Sequence, residues 1–240
     1  MLLARLATLL LLPLALASCV LTPGKFTSTL SIDADRSFRF SYIGEVIQAA
    51  DDVDTSAPFS DFGKATDKPN DAATLERDKA RKKAETDRKN RALAAALAKE
   101  AGYRKVAYLG DGVFMIDYAI TGTLDHGFFW PFNVDAEAIL PFIAIELRQD
   151  GVVRVKAPAF ANEVGKGTPG VSAMPGADAM KGVDRLDGVF TFDTNADIIS
   201  QSSEDGVTTT GTGPTARKTM TWRATRALKT PPTVVLRLGL

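Results

Sequence analysis

Apolar residues recur at every second position in short runs from Phe26 to Leu238, and one stretch breaks that rhythm. Phe26, Leu30 and Ile32 alternate with Thr27, Thr29 and Ser31, and Phe38, Phe40 and Tyr42 with Arg39 and Ser41. A period of two puts one set of side chains on one face of a strand and the other set on the opposite face. Asp33-Ala34-Asp35-Arg36 lies between the two runs, where Asp side chains can bond to nearby backbone and close a turn. The spacing therefore predicts an opening hairpin. The strongest run is Val113 to Leu124, in which Phe114, Ile116, Tyr118, Ile120 and Leu124 share a face. Arg104 to Leu109 precedes it across Gly110-Asp111-Gly112. Further strands are predicted over 139–147, 152–155, 189–192, 198–199, 220–224 and 234–238.

The exception is Asp71 to about Ala101, which is rich in Ala, Lys, Arg and Glu and contains no Gly or Pro. Asn70 can cap it and Gly102 ends it, so a long helix is predicted there. Glu76 to Arg91 holds 12 charges in 16 residues, 8 basic and 4 acidic. Leu75, Leu93 and Leu97 give the helix only a narrow apolar stripe. Such a face is either solvated and laced with i,i+4 pairs or set against anionic headgroups, each nearby cation contributing about 1 kcal/mol. One helix among hairpin-spaced strands predicts an α+β fold: a mostly antiparallel sheet of about seven to nine strands with one long charged helix. Polar loops are expected over 51–70 and over 158–182, where eight of 25 residues are Gly or Pro.

Before the folded part stands Met1 to Ser18, with Arg5 as a positive start and Leu6 to Ala17 as an apolar run of 12 residues. A bilayer core needs about 20, so a removable export signal fits better than a spanning helix. The run ends in Leu16-Ala17-Ser18-Cys19, which contains the only cysteine of the chain. This motif resembles the lipobox of bacterial lipoproteins. That resemblance implies cleavage before Cys19, a diacylglycerol on its thiol, usually a further amide-linked acyl chain such as palmitate, and attachment to the membrane through those chains. Residues 1–18 would then be the signal peptide, 19–25 a tether and 26–240 a single domain. In enterobacterial lipoproteins an Asp after the cysteine marks inner-membrane retention. Val20 there favours the outer membrane, with the body facing the periplasm. The order of hairpin, charged helix, Gly102-Tyr103 and strands ending in Thr219-Met220-Thr221-Trp222 is also similar to uncharacterised bacterial lipoprotein families.

Removing residues 1–18 takes away Arg5 alone, so 28 basic residues face 29 acidic ones in the remainder. That balance gives no argument for nucleic acid. With no second cysteine, no disulfide can staple the fold within the chain.

Reaction chemistry is sparse. His126 is the only histidine, beside Asp125, and Gly-x-Ser-x-Gly is absent. Gly211-Thr212-Gly213 and Lys218-Thr219 do not assemble a phosphate loop, because Arg217 stands where its Gly belongs. Asp193, Asn195, Asp197 and Glu204 have the spacing of a calcium loop, but Ile198 occupies its glycine position, and a turn between strands accounts for them. No cofactor or metal is expected. The aromatic run Phe128, Phe129, Trp130 and Phe132 is either a sheet corner at Pro131 or an exposed patch for a lipid or other hydrophobic ligand. Two functions follow as expectations. One is an envelope protein of binding or structural type with an apolar groove; the alternative is an envelope hydrolase of sugars or lipids that brings together two or more of Asp117, Asp125, His126, Asp135 and Glu137.

Overall fold

The computed structural model describes residues 21–48, 72–131, 141–161 and 185–239. Twelve strands stand among them: β1 (Leu21–Ile32), β2 (Ser37–Gln48), β3 (Tyr103–Gly110), β4 (Val113–Thr123), β5 (Phe128–Trp130), β6 (Ile143–Leu147), β7 (Val152–Lys156), β8 (Asp187–Thr194), β9 (Asp197–Gln201), β10 (Thr208–Thr210), β11 (Arg217–Thr225) and β12 (Thr233–Arg237). They form a seven-stranded sheet in the order β10-β11-β8-β1-β2-β4-β3 and a five-stranded sheet in the order β5-β6-β7-β12-β9. The expectation of an α+β protein with one mostly antiparallel sheet is thereby corrected: the fold is mostly β, in two sheets. Alternation shows that a segment is a strand but not which partner it takes. The decisive pairing here joins β1 to β8 in parallel, Leu30 opposite Phe192, across some 160 residues of chain.

The sheets pack face to face through aromatic rings. From the seven-stranded sheet come Phe26, Phe40, Tyr42, Tyr118, Phe190 and Trp222; from the other side come Phe128, Trp130, Phe142 and Phe160. Tyr42 lies 4.6 Å from Trp130 and 5.8 Å from Phe142, and Phe26 lies 4.4 Å from Phe160, measured between ring centroids. Rings at these distances gain about 0.5–1.5 kcal/mol per pair beyond the area they bury. Phe26 stands between Gly44 on β2 and Gly188 on β8. A Cβ on Gly188 would come within 2.3 Å of the Phe26 ring, and one on Gly44 within 2.3 Å of the Lys25 carbonyl oxygen. Both positions need glycine for this packing.

One α-helix stands among the described residues, α1 (Ala72–Leu97). It is not a layer of the fold but a cover for the β3 edge of the larger sheet. Ala94 is buried, and Asp87 accepts a 2.5 Å hydrogen bond from the Tyr108 hydroxyl of β3. Most of its other side chains are exposed. β1 begins at Leu21, so residues 21–25 of the expected tether belong to the sheet, and Thr22, Pro23 and Gly24 are buried. The expected loop at 51–70 lies outside the described residues, as does 162–182 of the second loop; Pro158–Phe160 forms a 3-10 turn.

Candidate functional site

Strands with one apolar face leave the other face to the residues between, and in the larger sheet these are largely hydroxyls. Register aligns them in rungs. Thr221, Thr191, Thr29, Ser41 and Ala119 lie side by side across β11, β8, β1, β2 and β4, and Thr219, Asp193, Ser31, Arg39 and Thr121 form the next rung. Threonine suits such a surface because its branched side chain packs on the pleat while its oxygen faces out. The parts of these rungs on β8, β1, β2 and β4 line an open cavity of about 350 Å³ whose walls include Thr29, Ser31, Arg39, Ser41, Arg104 and Asp193.

Polar contacts order this floor. Thr29 and Ser41 share a 2.6 Å hydroxyl hydrogen bond. The Ser31 Oγ accepts from Arg39 Nη2 at 3.1 Å and from Arg217 Nη2 at 2.9 Å. Arg217 also donates to Asp33 and Asp193, and Thr219 donates to the other oxygen of Asp193 at 3.0 Å. The Asp193 carboxylate, reinforced by Asp33, pushes the Arg217 guanidinium above its already high range. Arg104 stands 3.9 Å from Asp117. Three arginines thus face three aspartates in and around the groove, and the charges balance locally. It presents hydroxyls and guanidinium N–H groups rather than a net field, beside the carbon of Ala119 and Ile120. Among the described residues no three His, Cys, Asp or Glu side chains stand together as a metal site.

The aromatic run divides. Trp130 is buried among Phe40, Tyr42, Tyr118 and Phe142, Phe128 packs on Phe38 and Phe40, and Phe129 points outward at 48% exposure. Phe132, Asp135, Glu137 and Cys19 lie outside the described residues. Asp117 sits within β4, whereas Asp125 and His126 follow its end, exposed, their side chains bonded to each other. Six residues of strand, about 20 Å, separate Asp117 from Thr123 at the end of β4, and Asp125 lies beyond that end. The geometry does not bring them together. The calcium-like run is a strand turn: Asp193 is held by Arg217 and Thr219, and Asn195 Oδ1 accepts the Ala34 N–H at 2.7 Å. The groove was missed because hydroxyl residues read as mere spacers between apolar ones. Their regularity in the first hairpin was the available signal.

No family model matches this chain, and no curated protein matches it. Among solved structures it is similar to the folded domain of LppM from Mycobacterium tuberculosis, determined by NMR, at 15% identity over 91% of this chain and 92% of that one, with a TM-score of 0.30. A likeness of that size bears on neither fold nor role.

Proposed function

We propose that this protein is a bacterial envelope lipoprotein, anchored through acyl chains on Cys19, whose folded body binds rather than catalyses. The observation that carries this is Leu16-Ala17-Ser18-Cys19, which resembles a lipobox and stands two residues before Leu21 of β1. No helix among the described residues is long and apolar enough to cross a membrane, and two or more acyl chains hold a body durably to a leaflet. Val20 favours the outer membrane. The binding surface in this reading is the hydroxyl groove, and its ligand is polar and rich in oxygen. The packed aromatic interior argues for that class over a hydrophobic ligand.

Native mass spectrometry of the full chain purified from membranes in mild detergent tests the reading. The expected result is an N-terminus at Cys19 with the added mass of diacylglycerol and a further acyl chain, and its loss in Cys19→Ser. If the Cys19→Ser chain matures and partitions like the wild type, the anchor is refuted. Should Thr29→Val/Ser41→Val retain every co-purifying ligand, the groove is not the binding surface.

A further inference from the structure

If Cys19 carries the anchor, the reach of the body from the leaflet is short. From Cys19 to Leu21, where β1 starts, the chain spans at most about 7 Å. One end of the larger sheet therefore sits against the headgroups. Register identifies that end: Leu21 pairs with Gln48, and the Gln48 N–H donates to the carbonyl of Gly112 in the β3–β4 turn. Leu109, beside that turn, is 59% exposed, and Asp111 in it holds Lys83 of α1.

The helix direction follows from its contacts. Leu97, its last residue, is followed closely by Tyr103 at the start of β3; Asp87 meets Tyr108, and Lys83 meets Asp111. It runs antiparallel to β3, so the 11 residues from Ala72 to Lys82 project about 16 Å past the turn, on the side where the tether emerges. This overhang carries Arg77, Lys79, Arg81 and Lys82 against Glu76 and Asp78. Lys79 pairs with Glu76 at 3.1 Å and Arg81 with Asp78 at 3.2 Å, while Arg77 and Lys82 make no ion pair among the described residues. The residues from Glu76 to Lys83 are exposed, although the chain as a whole is charge-neutral.

We infer that this overhanging segment of α1 lies along an anionic lipid surface, with Arg77 and Lys82 on the headgroups and Leu109 at the same level. The inference rests on the anchored reading above. A charged helix projecting that far cannot stand upright in a bilayer beside a tether this short. The body leans instead, and the helix is laid flat on the headgroups.

Lysine acylation footprinting of the full lipidated chain in vesicles tests it, comparing phosphatidylethanolamine–phosphatidylglycerol with phosphatidylcholine. At about 1 kcal/mol for each cation held near an anionic surface, labelling of Lys79 and Lys82 falls about three- to fivefold in the anionic vesicles, normalised to Lys218 at the opposite end of the sheet. In Arg77→Glu/Lys82→Glu the difference disappears at Lys79. The same digest reports the N-terminal peptide. Equal labelling in both vesicles with the acyl mass present overturns this inference and leaves the anchor standing. A difference that survives in the double variant overturns it as well. Absence of the acyl mass overturns both.

Discussion

The two faces of the seven-stranded sheet are built from the same strands yet follow opposite chemistry. On the inner face Phe190 touches Phe160 and Trp222, and Phe40 touches Phe128 and Trp130, so each ring is fixed by several others. One residue along the chain, Thr191 and Arg39 face solvent among hydroxyls and paired charges. Burial makes the inner face the source of stability, its rings packed on one another. The outer face contributes far less to folding and is free to be shaped by what it meets. An exposed Thr–Ser hydrogen bond gains little over water, whereas removing a fully buried ring leaves a void.

Four measurements can break or sharpen that contrast. The largest effect is expected inside. Phe190→Ala, at a fully buried position, should lose about 3–5 kcal/mol in urea or guanidinium unfolding, and a loss below about 1 kcal/mol would mean the interior is loosely packed.

Alkali should attack the same face. Burial, with Tyr118 adding to it, pushes the Tyr103 hydroxyl up to about 12 from 10.0. Burial likewise raises Tyr42 and Tyr118. A hydroxyl whose folded value lies above its unfolded one contributes stability that is complete below pH 10 and declines as pH rises through 12. Tyrosinate absorbance and circular dichroism recorded together should show ionisation of these groups coinciding with unfolding. Ionisation well before loss of structure would contradict their burial.

On the outer face, Arg217→Ala removes the cation shared by Asp33 and Asp193 and should cost about 1–2 kcal/mol in the same unfolding experiment. The smallest change is Thr191→Val, expected within about 0.5 kcal/mol of wild type. If that substitution proves as costly as Arg217→Ala, the hydroxyl rungs serve the fold and their claim as a binding surface weakens.

Much of the local structure was legible. The alternation through Phe38, Phe40 and Tyr42 and through Phe114, Ile116 and Tyr118 identified inner-face residues, and the Gly- and Pro-free run before Gly102 marked the helix. The site was not legible. Thr29 and Thr191 are 162 positions apart and adjoin only because β1 and β8 pair in parallel, a non-local choice that leaves no mark in either segment. The early start of β1 was hidden as well. Pro23 and Gly24 look like linker residues, but the ladder slips between Pro23 and Phe26, which accommodates them beside Glu45. Trp130 and Phe129 are neighbours in sequence with opposite fates, since in a strand a single step exchanges core for solvent.

The sequence by itself determined most of the strands, the helix and the inward side of most strands, because periodicity is a property of neighbouring residues. Tertiary structure alone decided that the strands divide into two sheets, that a hydroxyl groove lines the outer face of one, and that α1 covers the β3 edge. Those depend on which distant segments share hydrogen bonds, and backbone donors and acceptors are the same in every strand.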